Sequence, residues 1–353
     1  MTLLREFQIG GQTVGGEHPP YVIAEVGANH DRDRDVAGEL IAVAARAGCD
    51  AVKFQTYDGA RIYSSRTPRF AYLSSITDKP PAELLDAISL PRAWQAGLAI
   101  ESRAAGLHWF SSPFDHEAVA ELDALDVPVL KIASFEIVDL PLIRRAAATG
   151  RPLILSTGMA TLGEIEDALR AAEAEGATQI GLMQCTSGYP APAEQANLRA
   201  MATMRRAFEV PVGLSDHTMG TAVPIAAAAL GAAFVEKHVT LDRGRTGPDH
   251  PFALEPPELT AMVAGIREAH AALGDARKTG PRGVEVGEMY TLGRRSLVAA
   301  RALPAGTALS ADAITVKRPG FGIAPKHLEL VIGLRLARDV QADEVLVWDM
   351  LRE

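Results

Sequence analysis

The sequence predicts an α/β fold: a (β/α)8 TIM barrel followed by a small β-rich domain. Three observations carry the prediction. Eight short apolar or β-branched runs recur along the first 275 residues, Ala-rich segments with helical spacing separate them, and after Gly274 the alternation stops.

In chain order the runs are "YVIAEVG", "AVKFQT", "HWFSSPF", "VLKIAS", "LILSTG", "IGLMQCTS", "PVGLSDH" and "FVEKHVT". Each has the length and composition of a strand buried on both faces. Helices are expected over 33–47, 92–105, 161–175, 219–231 and 256–273, closed by Gly48, Gly106, Gly176, Gly231 and Gly274 at C-terminal cap positions. The barrel domain is thus assigned to 1–275. Residues 276–290 are polar and Gly-rich with no helical stripe, which predicts a linker. Residues 291–353 offer short strands and a "PAGT" turn, enough for a small β module.

The chain has 353 residues, 48% of them hydrophobic, a formal net charge of -9 and a pI near 5.6. An acidic protein is a poor match for nucleic acid or an anionic membrane surface, both of which select basic patches. No stretch approaches the ~20 apolar residues of a membrane span, and the start "MTLLREFQIGG" lacks the basic and apolar regions of a signal peptide. Cys49 and Cys185 lie in apolar contexts and are expected to be free buried thiols. A cytoplasmic location is expected.

Strand parity then selects the residues that point into the barrel, because side chains two apart share a face. With Val235 and Val239 turned toward the helices, Glu236 and His238 face inward. By the same rule Lys53 and Gln55 face inward against Val52 and Phe54, Lys131 against Leu130 and Ile132, Glu25 against Val22 and Val26, and Ser215 and His217 against Val212 and Leu214. These polar residues lie late in their strands, at the C-terminal mouth where barrel enzymes have their sites. Lys237 has the opposite parity, which predicts a structural ion pair or an exposed head rather than a catalytic role.

His217 and His238 end adjacent strands. Such a pair, beside carboxylates and without soft ligands, suits Mn²⁺ or another octahedral ion that keeps water or substrate oxygens; hydrogen-bonded core histidines are the alternative. Lys53 and Lys131 form a cation pole suited to a phosphate or carboxylate. Ser111, Ser112, Ser134, Ser156 and Ser215 stand at strand ends, as further donors to that anion or as helix caps. Glu25 faces the pole as a general acid or base, or as a salt-bridge partner of Lys53. No "GxSxG", Walker loop or dinucleotide fingerprint appears, which argues against acyl hydrolysis, ATP cleavage and hydride transfer.

The blocks "IAEVGANH", "DAVKFQTY", "KIASFEI", "LSTGMATLGEI", "CTSGYPAP", "VGLSDHTMG", "VEKHVTLDRGRTGPDH", "RRSLVA" and "KRPGFGI" together resemble the bacterial sialic acid synthases and their pseudaminic and legionaminic relatives. Those proteins are barrels with a C-terminal antifreeze-like (SAF) domain. The resemblance spans nearly the whole chain. It implies a metal-dependent condensation of phosphoenolpyruvate with the open-chain form of an N-acetylated hexose, giving a nine-carbon 2-keto acid and phosphate. Matched block by block, it assigns His217 and His238 to Mn²⁺, with Mg²⁺ or Co²⁺ as alternatives. Lys53, Lys131, Ser134, Ser156, Ser187 and Ser215 would bind phosphoenolpyruvate, with Ser112 beside them, and Gln55, Tyr189, Asp249 and Glu136 would orient the sugar. Either Glu25 or Glu236 would manage the attacking water. The resemblance also implies a domain-swapped homodimer in which Arg318 of "KRPG" reaches the partner's barrel.

"SSPFD", "KIASFEI" and "CTSGYPAP" look more like the pseudaminic branch, whereas "GPDH" and "RRSLVA" look more like the sialic and legionaminic branches. The sugar is therefore open between N-acetylmannosamine and a diacetamido-trideoxyhexose. Rival readings are another barrel aldolase acting on phosphoenolpyruvate and a sugar, and a carbohydrate- or ice-binding protein.

Overall fold

The computed structural model describes residues 3–68 and 78–353. They form two compact units that part after Gly274.

The first unit opens with a hairpin, β1 (Glu6–Ile9) and β2 (Gln12–Gly15), paired antiparallel through a Gly10–Gly11 turn with φ of 55° and 88°. Two successive positive φ values are what a tight two-residue hairpin loop demands, and only glycine adopts them freely. Eight parallel strands follow: β3 (Tyr21–Glu25), β4 (Ala51–Thr56), β5 (His108–Pro113), β6 (Leu130–Ile132), β7 (Leu153–Ser156), β8 (Ile180–Cys185), β9 (Val212–Asp216) and β10 (Phe234–His238). Their hydrogen-bonded order is β5-β4-β3-β10-β9-β8-β7-β6, with β5 beside β6. The result is a near-closed barrel, as the alternation of runs predicts.

All five expected helices form, at Arg34–Ala47, Gln95–Ala104, Leu162–Ala174, Ala222–Ala229 and Pro256–Leu273. Their starts are chemically marked. The Asp33 side chain accepts from the backbone of Asp35 and Val36, and Thr161 and Glu164 form a reciprocal capping box. Gly48, Gly106, Gly176, Gly231 and Gly274 all have positive φ. Three more helices, His116–Ala124, Leu140–Ala147 and Arg199–Phe208, complete connections that the helical spacing alone does not single out.

The hairpin crosses the N-terminal end of the barrel. Phe7 packs against Phe234, Gly10 lies against His108 at the start of β5, Gln12 bonds Asp50 just before β4, and the Leu4 amide bonds Thr178 just before β8. Inside, Phe234 takes the space left by two glycines, with its ring at Gly181 and its backbone at Gly213. A Cβ at Gly181 would stand 2.5 Å from that ring, and one at Gly213 would stand 2.3 Å from the Phe234 carbonyl. The lower barrel is therefore filled, with the hydrogen-bonded Tyr21 and His108 at the strand starts, and the charged residues stand nearer the strand ends.

The second unit contains two antiparallel pairs, β11 (Ser296–Ala299) with β12 (Ile314–Lys317) and β13 (Arg335–Leu336) with β14 (Leu351–Arg352). Leu297, Leu303, Leu309, Val331, Leu336, Val340 and Leu346 form its core. In "PAGT" the Thr307 amide and hydroxyl both bond the Pro304 carbonyl. The segment 276–290, expected as a plain linker, contains a short 3-10 turn (Gly283–Glu285) and leads into a helix at Glu288–Gly293. "EMYTL" holds no Pro or internal Gly, so a single turn forms there despite the polar surroundings. No helix among the described residues is long and apolar enough to cross a membrane.

Candidate active site

Register aligns the inward residues across neighbouring strands of the mouth. Glu236 is paired with Ser215 across β10 and β9, and His238 with Glu25 across β10 and β3; Glu25 is paired in turn with Lys53. Parity therefore holds for every strand on which it was applied.

Four of the inward residues form a buried charge cluster. Lys53 Nζ lies 2.8 Å from Glu25 Oε2 and 3.7 Å from Glu236 Oε1, and Lys131 Nζ lies 3.3 Å from Glu236 Oε2. Lys53 also donates to Ser112 Oγ at 3.2 Å, Gln55 donates to Glu25 Oε1 at 2.8 Å, and Ser215 donates to Glu236 Oε1 at 2.9 Å. All four charged side chains are buried. The two carboxyls separate electrostatically. Burial pushes Glu25 up to about 7 although Lys53 opposes it, whereas at Glu236 the same burial is outweighed by the ammonium groups of Lys131 and Lys53, which hold it below the ordinary carboxylate range. Near neutral pH, Glu25 exchanges a proton and Glu236 stays ionised.

Beside this cluster is a small cradle. Gly158 donates its N–H to Ser134 Oγ at 3.1 Å, and a Cβ at that position would stand 2.5 Å from Ser187 Oγ and 2.8 Å from Ser134 Oγ. The buried hydroxyls of Ser156 and Ser187 have no hydrogen-bond partner. Unpartnered buried hydroxyls are costly unless a ligand or water completes them. Gly158 itself was not among the expected residues; its signal is "STG", a glycine directly after a strand-end serine.

The histidines stand at the ends of their strands. The rings of His217 and His238 lie 5.4 Å apart between centroids, Tyr189 packs 4.5 Å from His217, and Phe252 packs 4.9 Å from His238. His217 Nδ1 is 2.9 Å from the Thr186 carbonyl. His238 Nδ1 lacks a hydrogen-bond partner and lies 3.6 Å from Asp249 Oδ2. Burial, reinforced by the nearby cations, pushes His238 well below its ordinary range and keeps it neutral. Asp249 is steadied by the Ala28 amide at 3.2 Å. Its neighbour His250 is fully buried, bonded to Thr240 Oγ1 at 2.7 Å and Asp31 Oδ1 at 2.8 Å. His250 thus ties the loop after β10 to the loop after β3, a role legible only once the two loops are known to be neighbours.

Glu136 sits on the turn Ser134–Glu136 after β6. Its Oε2 has no hydrogen-bond partner, and burial pushes the carboxyl up to about 7.

One expectation changes and two are sharpened. Ser111 does not join the mouth: it is paired with Phe54 on the helix-facing side and its hydroxyl bonds Thr56 Oγ1 at 2.7 Å. Lys237 has no exposed head. It is fully buried, and of the two roles offered by its parity the ion pair is the one formed, with Asp216 Oδ2 at 2.5 Å. Cys49 and Cys185 are both free and buried, as expected, but Cys185 is not merely a core thiol: it faces inward, with Sγ 3.8 Å from His217 Nδ1. The parity of "IGLMQC" contains that signal, since Gly181, Met183 and Cys185 share one face. Arg318 is exposed at the end of β12 in the second unit.

Residues 40–278 match the NeuB family and residues 294–352 match the SAF domain. A barrel with a charged mouth, followed by a SAF domain, defines the class. The chain is 37% identical over 329 residues to the N,N'-diacetyllegionaminic acid synthase of Campylobacter jejuni, covering 92% of this chain and 98% of that one. It is 36% identical over 334 residues to the pseudaminic acid synthase of Helicobacter pylori, covering 94% and 97%. The crystal structure of the N-acetylneuraminic acid synthetase of Leptospira borgpetersenii in complex with citrate superposes with a TM-score of 0.73 at 32% identity, covering 82% of this chain and 96% of that one. This protein belongs to the NeuB family, and its named relatives are acid synthases.

Proposed function

We propose that the protein condenses phosphoenolpyruvate with an open-chain N-acetylated hexose to give a nine-carbon 2-keto acid and inorganic phosphate. The observation that carries this reading is the buried pair Lys53 and Lys131 beside the serine cradle at Gly158. In an acidic protein, two ammonium groups and unpartnered hydroxyls at the mouth suit a small ligand with both carboxylate and phosphate.

In this mechanism Lys53, Lys131, Ser134, Ser156, Ser187 and Ser215 hold phosphoenolpyruvate, and Gln55, Tyr189, Asp249 and Glu136 orient the sugar. The methylene carbon forms the new bond to the aldehyde carbon as the C=O π pair passes to the aldehyde oxygen, which takes up a proton and becomes a hydroxyl. Water adds to the resulting cation at the former enol carbon, and the tetrahedral adduct expels phosphate by carbon–oxygen cleavage. Of the two buried carboxyls, Glu25 is the better candidate to take the proton of that water, because it titrates near neutrality while Glu236 is held as a fixed negative charge.

The histidines fit a divalent ion. His238 is neutral with an unpartnered nitrogen, and His217 can donate through Nδ1 to Thr186, which leaves Nε2 to coordinate. Among the described residues no group of three or more His, Cys, Asp or Glu is arranged for one ion, so water or substrate oxygens would complete the shell of Mn²⁺, Mg²⁺ or Co²⁺. When bound there, the ion supplies Lewis-acid polarisation of the aldehyde. In the proposed domain-swapped homodimer, Arg318 contacts the sugar in the partner's barrel.

Phosphate release from phosphoenolpyruvate tests the proposal, measured with N-acetylmannosamine and with diacetamido-trideoxyhexoses, each with and without Mn²⁺. Sugar-dependent release that requires the ion is expected. No release with any sugar under any metal would refute the function, and full turnover after chelation would refute the metal assignment alone.

A further inference from the structure

Lys237 is unusual for its position. It points away from the mouth, toward the helices, where its neighbours in sequence parity are Val235 and Val239, yet it carries a charge with no exposed surface. Its ammonium lies 2.5 Å from Asp216 Oδ2 and also bonds the Thr218 carbonyl. Asp216 in turn accepts the Thr218 amide at 3.1 Å and the Thr218 hydroxyl at 3.0 Å. Lys237, Asp216 and Thr218 are all buried, so each of these bonds is made away from water.

The register explains where this network acts. The β9–β10 ladder has Lys237 and Asp216 as its last pair. His217 and His238 both stand one residue beyond it, on the other face. His238 is held from the opposite side, because it pairs with Glu25 and the next amide, Val239, bonds the Glu25 carbonyl. His217 lies between Asp216 and Thr218, the two residues gripped by Lys237.

We propose that Lys237 is a positioning residue: with Asp216 and Thr218 it forms a clamp behind the mouth that fixes the spacing of His217 and His238. A buried ion pair contributes little net stability compared with apolar side chains of the same volume, whereas it does impose direction and distance. Partners behind metal-binding histidines commonly alter affinity or activity by about 10- to 100-fold. The catalytic consequence rests on the function proposed above; the spacing itself does not.

The test uses the full-length chain and two variants, Lys237→Met and the double variant Lys237→Met/Asp216→Leu, which replaces the pair with apolar side chains. Metal-free crystal structures give the ring spacing. Thermal melting gives stability, and steady-state kinetics give kcat and the KM for phosphoenolpyruvate. The double variant leaves no charge unpaired but takes the partners from the Thr218 amide, hydroxyl and carbonyl, so it should melt below the wild type yet above Lys237→Met. Its His217–His238 spacing should depart from 5.4 Å or spread over several positions, and kcat should fall about 10- to 100-fold with KM for phosphoenolpyruvate nearly unchanged. If Lys237→Met does not fold, the double variant decides alone. Wild-type spacing with ordered histidines in the double variant would overturn the clamp, and altered spacing with wild-type kcat would overturn its catalytic consequence. A wild-type protein that turns over without any metal would remove the metal reading and leave the spacing measurement to judge the clamp.

Discussion

Replacing Lys131 with methionine keeps the length of the side chain and deletes its charge, and the cluster geometry sets what should follow. With both carboxyls ionised, Lys53, Lys131, Glu25 and Glu236 balance at two positive and two negative charges. Lys131→Met leaves one ammonium between two carboxylates. The lost attraction, at 3.3 Å, is about 5 kcal/mol with an effective dielectric constant of about 20, and proton uptake by Glu236 limits the penalty. A destabilisation of about 3 to 5 kcal/mol is expected, as for other buried pairs that lose one partner, and this lowers Tm by roughly 10 °C for a unit of this size. Phosphoenolpyruvate should lose one charge-assisted contact, so kcat/KM should fall about 10- to 100-fold. The double variant Lys131→Met/Glu236→Gln removes the unpaired charge; it should regain most of the Tm and none of the activity. Thermal melting and phosphate release measure the two effects separately. A single variant that keeps wild-type kcat/KM would refute the anion assignment. A double variant as unstable as the single would refute the electrostatic account. The pH dependence gives a further check. Because the native state favours ionised Glu236, its stabilising contribution is complete above the ordinary carboxyl range and is lost as pH falls toward about 2. Lys131→Met should shift that loss to higher pH.

Glu25→Gln should remove a limb near pH 7 from the rate profile; since burial disfavours its ionised form, the wild-type Glu25 contribution to stability declines as pH rises from the ordinary carboxyl range through 7, and the variant should lose that slope as well. A limb that survives the substitution belongs to another group. Gly158→Ala places a methyl 2.5 Å from Ser187 Oγ and should raise the KM for phosphoenolpyruvate about tenfold or more; wild-type KM would show that the cradle does not bind it. Arg318→Ala and Lys53→Ala, each expected to be inactive, should recover about a quarter of wild-type activity when unfolded and refolded together, because half the dimers are mixed and each of those has one complete site. No recovery in confirmed mixed dimers would exclude action in trans.

The barrel strands were legible because buried parallel strands read as short apolar runs, and the polar interruptions fell at inward positions. Alternation places a residue on a face but says nothing of what the opposite face meets, which is why an exposed head for Lys237 remained open until Asp216 was found across the ladder. Ser111 was grouped with the mouth by its nearness to a strand end, although its own parity with Phe54 points it to the helices. The hairpin's strands are four residues each, too short for a periodic signal, and only the Gly10–Gly11 pair marks it. The helix Arg199–Phe208 turns Met201, Met204 and Phe208 to the core within a short, Arg-rich segment, an apolar stripe of three positions that is easily passed over. His250 depends on Asp31, 219 residues away, and no local pattern encodes such a partner.

The plug formed by β1, β2 and Phe234 makes the barrel a vessel with one doorway. The charged residues and the histidines gather at the strand ends opposite the hairpin, so whatever binds among them enters and leaves by that side. For the proposed reaction this means that phosphoenolpyruvate and the sugar would share one entrance, and that the 2-keto acid and phosphate would both leave by it.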